Sequence, residues 1–461
     1  MFNSFRKYIK RTLSTIATVS IIAVTTFSVT ANVSAAASDS STAPKAAWPD
    51  APSITCESAI LIDADTGSIL YEKDSHRKAY PASTTKILTG LLTIENCNLN
   101  DTMTFSSKAA NSVNPYEDAN LSMKAGEQIT VEQALYGLLL YSANEIAYGL
   151  AEQVAGSADA FIDMMNNKAK ELGAINTHFA NPSGLYNSNH YTTAYDMAMI
   201  ARGCYNNASF VNIDSTSSSY TIPATNMSAQ RTIKHRHKML KGREFYYEYC
   251  KGGKTGFTDE SLMTLVTFAE KDGMRLICVV FRSPDDSTRY IDTRALFDWG
   301  FGNFKKSTTS NSQISSLFST DNYYSSDVFG KSKLGFNLNA SFITIPANGS
   351  TSDVTMDINT DYDVSNSNDK LTAKLNYKYG DNVVGTTTLT ISSGNAVKDS
   401  QLPYLSNEIK VTELTPKKCL KVNIWIIAGI VAVILIIITI INNRKLSNNR
   451  KHHYSKRNLR F

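Results

Sequence analysis

Pro81-Ala82-Ser83-Thr84-Thr85-Lys86-Ile87-Leu88-Thr89-Gly90-Leu91-Leu92 is the stretch on which the fold turns. Proline suits a first helical turn, and Ile87, Leu88, Leu91 and Leu92 recur at helical spacing, so the stretch predicts a helix sunk in a core. Ser83 and Lys86, three residues apart, share one face of it. A lysine stripped of water gives up its proton readily and becomes a base for the serine hydroxyl, while a helix N-terminus favours negative charge on an oxygen beside it. Ser-x-x-Lys alone is weak: composition gives about two chance copies in a chain this long. Ser4/Lys7, Ser75/Lys78 and Ser367/Lys370 repeat the pattern without the surrounding helix.

Order gives the Ser83 copy its weight, because Ser142-Ala143-Asn144 and then Lys254-Thr255-Gly256 follow at wide spacing. Thr130 with Gln133 makes a capping box for a helix running through Leu140, and another helix begins after Asn144 and ends near Gly156. Ser142-Ala143-Asn144 therefore sits in a tight turn between helices, with short polar side chains free to face a cleft. Further helices are predicted over 159–172 and from Thr193, the latter with Met197 and Met199 as core filler. Residues 262–270 and 274–281 form a strand pair around Lys271-Asp272-Gly273, and Lys254-Thr255-Gly256 leads into it. A last helix covers 286–299. Upstream, 59–62 and 68–71 pair around Asp65-Thr66-Gly67. Strands at both ends with helices between them predict a mixed α/β domain over 53–306, an antiparallel sheet covered by helices.

The formal net charge of +5 misrepresents this domain. Residues 1–35 carry four basic residues and 442–461 carry seven, neither segment an acidic one, which leaves −6 for residues 36–441. That balance argues against nucleic acid as a partner. Residues 1–35 have the layout of a signal peptide: a basic start, a diluted apolar stretch and small residues around Ala35. A Ser-, Ala- and Pro-rich flexible leader is expected over 36–52. The uncharged run 424–441 approaches the ~20 residues needed to span a bilayer, and the basic tail 442–461 behind it would remain in the cytoplasm, placing the rest outside. The six cysteines are too sparse for a disulfide framework of the small secreted kind, and their pairing is left open.

Ser307-Thr308-Thr309-Ser310 opens an expected linker, 307–317. Beyond it, alternating apolar residues such as Leu371, Ala373, Leu375 and Tyr377 predict an all-β module over 318–415, read as a spacer or docking domain.

With its three motifs placed, the chain resembles the penicillin-binding D-alanyl-D-alanine carboxypeptidases, within the wider group of β-lactamases and penicillin-binding proteins that share this motif set. The likeness covers about residues 59–304 and includes Ala64-Asp65-Thr66-Gly67, Asn181-Pro182-Ser183-Gly184-Leu185, His190-Tyr191-Thr192-Thr193-Ala194 and Trp299-Gly300-Phe301. The β module resembles the family's C-terminal domain more loosely. The resemblance implies a β-lactamase/transpeptidase-like fold and acyl transfer on the terminal D-Ala-D-Ala of peptidoglycan stem pentapeptides, with β-lactam antibiotics as inhibitors and no cofactor. It implies Ser83 as nucleophile, Lys86 as base and Ser142 as proton relay. Asn144 would hold the substrate amide. The backbone N–H groups of Ser83 and Phe257 would stabilise the oxyanion, and Lys254, Thr255, Gly256 and Arg289 would form the wall that takes the terminal carboxylate.

Rival readings are testable on residues. Ser112-Val113-Asn114 repeats Ser-x-Asn in a polar loop without flanking helices. His235 and His237 alternate as on a strand, with no third metal ligand nearby, and point to a structural role. A β-lactamase needs a base for fast deacylation, and Glu171 stands one residue out of step with the usual arrangement ahead of Ile175-Asn176. A non-catalytic wall-binding or β-lactam-sensing receptor would be expected to carry a signalling domain on its tail, where twenty residues, seven of them basic, follow the apolar run.

Overall fold

The computed structural model describes residues 47–309, 335–338, 341–358, 365–367 and 370–392. A hairpin, β1 (Ser58–Asp63) and β2 (Ile69–Lys73), turns through Gly67 at φ +73°, a left-handed conformation that costs glycine nothing. Three long strands, β7 (Cys250–Thr258), β8 (Leu262–Lys271) and β9 (Met274–Ser283), complete an antiparallel sheet of order β2-β1-β9-β8-β7. Successive strand residues face opposite ways, and here both faces are covered. Ile60, Ile62, Val266, Phe268, Ile277 and Val279 join the core beneath the helices. Their neighbours Ala59, Leu61, Leu265, Leu276, Cys278 and Val280 join a second core beneath one long helix. That explains why these strands read as apolar runs.

Helix α1 (Lys86–Asn96) runs through the larger core with every residue from Lys86 to Thr93 buried. A helix hydrophobic on all sides belongs inside, and each buried leucine or isoleucine there contributes roughly 1.5–3 kcal/mol. The expected capping box on Thr130 and Gln133 opens α2 (Val131–Tyr136). A π-helical turn, Gly137–Tyr141, then delivers the chain to α3 (Asn144–Ala155). Next come α4 (Ala158–Glu171), α5 (Ala194–Tyr205) capped by Thr193, and the short α6 (Ala208–Asp214). The long helix of the second core is α7 (Asp286–Asn303), capped by Asp285. Two-stranded ribbons are made by β3 (Thr102–Thr104) with β4 (Gln128–Thr130), and by β5 (Tyr220–Ile222) with β6 (Arg231–Ile233).

Two expectations are corrected. The end of the leader is pinned: Trp48 packs edge-on against Phe304 and donates Nε1–H to the Leu70 carbonyl, and Trp299 donates to the Asp50 carbonyl at 2.6 Å. One large indole outweighs the loose composition around it. Ser307 and Thr308, read as the start of a linker, instead end β10 (Phe304–Thr308), which pairs with β12 (Phe342–Pro346). Serine and threonine are weak loop signals when a partner edge is present. A second sheet has the order β11 (Gly335–Leu338), β16 (Asn382–Ser392), β15 (Lys370–Tyr379), β13 (Val354–Ile358), with β14 (Ser365–Ser367) also on β15. The signal peptide, the apolar run 424–441 and the basic tail lie outside the described residues. Among the described residues no helix is long and apolar enough to cross a membrane.

Candidate active site

Ser83 lies on a tight 3-10 turn, Ala82–Thr85, rather than on a regular α-helix, and Ala82 before it has φ +49°. A non-glycine residue there stores strain, which persists only when surroundings enforce it. Two neighbours do so. The Thr264 hydroxyl donates to the Pro81 carbonyl at 3.1 Å, and Gly184 sits so close that a Cβ there would lie 1.9 Å from the Ala82 oxygen. From this turn Ser83 opens into a cleft of about 660 Å³.

Lys86, fully buried, reaches three oxygens with Nζ: Ser83 Oγ at 2.9 Å, Asn144 Oδ1 at 2.6 Å and the Ser183 carbonyl at 2.5 Å. Burial pushes its pKa well below the usual lysine range, and the positive charges of Lys254 and Arg236 push the same way. The Ser183 carbonyl is aimed by Asn181, whose side-chain oxygen accepts from the Ser183 and Gly184 N–H groups at 3.2 and 2.7 Å. His190 braces the turn from behind. Its Nδ1 accepts from Ala180 N–H, so Nε2–H donates to Thr85 Oγ1 at 2.8 Å, and burial holds the ring neutral with a pKa of about 3.

Ser142 reaches the cleft because the π-helical turn ends on it in the left-handed conformation, φ +71°. Asn144 follows as the first residue of α3, with its N–H on the Ala119 carbonyl at 2.7 Å. On the opposite wall Lys254, Thr255, Gly256 and Phe257 occupy successive positions of β7, whose Gly256 pairs with Thr264. A Cβ on Gly256 would stand 2.3 Å from Thr264 Oγ1 and 3.0 Å from the Pro81 carbonyl, so glycine lets β7 press against the serine's turn. Thr255, Gly256 and the exposed Phe257 line the cleft. Lys254 lies behind them, 1% exposed, its Nζ on the Thr255 carbonyl at 3.0 Å. Burial and then Arg236 lower its pKa to about 7.

A hydroxyl joined to a buried amine whose pKa is lowered, facing a strand with a second lysine behind it, is the arrangement of a serine acyl-transfer enzyme. A family model described as D-alanyl-D-alanine carboxypeptidase matches residues 45–285. The chain belongs to the D-alanyl-D-alanine carboxypeptidase family. The D-alanyl-D-alanine carboxypeptidase DacF of Bacillus subtilis is 34% identical over 254 residues, which cover 54% of this chain and 63% of that protein. For DacA of Escherichia coli K12 the figures are 32% over 291 residues, 62% and 70%. The chain thus spans less than two thirds of the Bacillus relative's length. Among solved structures, the D-alanyl-D-alanine carboxypeptidase of Mycobacterium tuberculosis H37Rv matches with a TM-score of 0.50 at 32% identity, over 56% of this chain and 95% of that one. Penicillin-binding protein 5 of Haemophilus influenzae shares the fold, with a TM-score of 0.58 at 24% identity over 75% of this chain and 99% of that one.

In this member of the carboxypeptidase family the three motifs converge as the sequence order implied, with two changes of detail. Asn144 spends its side-chain oxygen on Lys86. Arg289 on α7 is tied down, its guanidinium donating to the Gly256 carbonyl at 3.1 Å, to the Thr264 carbonyl at 3.0 Å and to Asp286, so it braces β7 while lending the cleft its charge. The second Ser-x-Asn sits in an irregular loop, where Asn114 donates to Glu117 and Asp118. Glu171 is exposed on α4 beside Lys168, and the cleft is lined without it. His235 and His237 lie past the end of β6, where the chain has left the ribbon, so the strand expected to carry them stops short. Sequence reasoning missed the Ser183 carbonyl, a main-chain atom. It also missed Arg236, whose alternation with Lys234 and Lys238 was the available signal of a basic wall.

Proposed function

We propose that the protein is a serine-type D-alanyl-D-alanine carboxypeptidase that removes the terminal D-alanine from peptidoglycan pentapeptides through an acyl-enzyme on Ser83. The observation that carries this reading is the environment of Lys86 Nζ. Two of its three partners, the Ser183 carbonyl and Asn144 Oδ1, only accept hydrogen bonds. A neutral amine has two hydrogens and one lone pair. With both hydrogens committed, the lone pair is left facing the Ser83 hydroxyl. Ser83 Oγ then attacks the carbonyl of the penultimate D-alanine while its proton passes to Lys86, and the negative charge forms against the Ser83 and Phe257 N–H groups. Ser142 passes a proton to the departing D-alanine nitrogen, and water frees the acyl group. The basic residues Lys234, Arg236, Lys238, Arg243 and Arg289, with Lys254 behind, outnumber the carboxylates Glu117, Asp118 and Asp286 in the lining and favour a peptide ending in a carboxylate. A β-lactam offers the same carboxylate and a strained amide, so it acylates Ser83 and leaves slowly. The position of Glu171 supports this reading over a β-lactamase.

The apolar run 424–441 and its basic flank support a membrane-anchored protein with the catalytic domain extracytoplasmic and a short cytoplasmic tail. The described strands β11 to β16 support reading the C-terminal part as an all-β module.

Mass spectrometry of the penicillin-treated protein, run beside a D-alanine release assay on a pentapeptide, tests the proposal. The adduct is expected on Ser83, and Ser83→Ala is expected to lose both adduct and release, by about 10³-fold or more. Release at the normal rate from the alanine variant would end the reading, and rapid turnover of the antibiotic would favour a β-lactamase.

A further inference from the structure

Directly before Lys254 the edge strand carries two glycines, Gly252 at φ +125° and Gly253 at φ +139°, and the pairing of β7 with β8 slips by one residue just ahead of them, between Cys250 and Gly252. A fully buried carboxylate fills the room they leave. Asp214, the last residue of α6, accepts the Gly253 N–H on Oδ2 at 2.6 Å, and a Cβ on Gly252 would stand 2.5 Å from that same oxygen. The C-terminal end of a helix is an unfavourable place for an anion, so something must hold it there. His235 faces its other oxygen. His235 Nδ1 accepts from the His237 N–H at 3.0 Å, which puts the ring proton on Nε2, 3.5 Å from Asp214 Oδ1. Neither Nε2 nor Oδ1 has another hydrogen-bond partner. His237, behind it, is fixed by Thr267 Oγ1 at 2.9 Å and held neutral by burial.

We infer that Asp214 is a positioning residue for Lys254: its carboxylate fixes the glycine bulge through Gly253 and supplies the counter-charge that keeps Lys254 a cation behind the carboxylate-binding wall. The charged and titratable groups around Lys254 are Arg236, Arg289 on α7, Lys86 on α1, His237 and Asp214. Asp214 is the sole anion among them, and it opposes the push that burial, Arg236 and Arg289 exert on Lys254. Without it, Lys254 would face the like charges of buried Arg289 and exposed Arg236 with no opposing charge. This inference rests on the proposed acyl transfer at Ser83, and it adds a residue to which none of the three motifs points.

The test is the rate of Ser83 acylation by benzylpenicillin against pH, in the full chain and in Asp214→Asn, with benzylpenicillin methyl ester as the acylator that lacks a carboxylate. Asparagine keeps an oxygen for Gly253 N–H and removes the charge. The alkaline limb is expected to move down by about one pH unit, within the range a nearby opposite charge imposes. That is about a tenfold loss on the alkaline side. The acid limb, set by Lys86, stays in place, and the ester is expected to be acylated equally by both proteins. An unmoved alkaline limb, or an equal loss at every pH and with the ester, overturns the inference. If Asp214→Asn fails to fold, Asp214→Glu is read instead: it keeps the charge, so the alkaline limb must stay while the rate falls at all pH, and a shifted limb overturns the inference. A wild-type protein that penicillin never acylates at Ser83 defeats the proposed function, a result distinct from either.

Discussion

Two lysines, Lys86 and Lys254, are buried equally, at 0% and 1% exposure, yet they are suited to opposite tasks. Lys86 sits among neutral oxygens, and burial with the charges of Lys254 and Arg236 outweighs the opposing pull of Glu145 and Asp118, so its pKa falls well below the usual lysine range. Lys254 has a carboxylate in its surroundings and keeps a pKa of about 7. Burial alone penalises both charges, and the partners decide how far each goes. The difference teaches that a Ser-x-x-Lys lysine is made a base by burial among neutral oxygens and by neighbouring cations, as much as by the serine it touches.

The sharpest way to break this comparison is to remove the base. Lys86→Met is expected to slow acylation by about 10²–10⁴-fold, as loss of a general base does. In the wild type, acylation should fall as pH drops through the lowered Lys86 pKa, because only the neutral amine accepts the proton. A fast Lys86→Met protein, measured by penicillin labelling, would make Lys86 a mere scaffold. Gly184→Ala reaches the same lysine through the backbone. With φ +87° and the Ala82 oxygen 1.9 Å from the new methyl, it should cost about 2–4 kcal/mol in denaturant melts and displace the Ser183 carbonyl. A normal melt with normal labelling would show that the loop does not hold Lys86. On the other side of the comparison, Lys254→Met should raise KM for a carboxylate-ended peptide by about 10–100-fold, as loss of a charge-assisted contact does, with a smaller change in kcat. Equal falls in kcat for peptide and for ester would place Lys254 in the chemistry instead. The smallest effect is on stability. Lys254 and Lys86 both bind a proton less tightly folded than unfolded, so stability should rise with pH above about 7 until unfolded thiols begin to ionise near 8.5, Lys254 contributing at most about 1.4 kcal/mol per pH unit. Lys254→Met should remove that share and leave the share of Lys86, and an unchanged slope would mean the folded Lys254 is not depressed.

The halves of this comparison were unequally legible. Ser83, Lys86 and the turn holding Ser142 follow from local pattern, since helical spacing and a capping box act over a few residues. The strands β1, β8 and β9 follow from apolar runs that two covered faces require. Asp214, His235 and the Ser183 carbonyl could not be read the same way. Their roles come from α6, the segment after β6 and the loop before Gly184 meeting in space, and one of the three is a main-chain atom that any residue would supply. The π-helical turn was hidden too, because it differs from the α-helix in hydrogen bonding and not in the apolar pattern of Leu138, Leu139 and Leu140. Trp48 shows the converse error: composition over residues 36–52 called for a loose leader, and at its described end a single side chain decides otherwise.

Helix α7 begins beside the cleft, with Arg289 on the carbonyl of Gly256, and runs without interruption into β10 and so to β12. Its 18 residues make a rod about 27 Å long. Tension on the chain beyond β12 would therefore arrive at the floor of β7 as a displacement along a stiff axis.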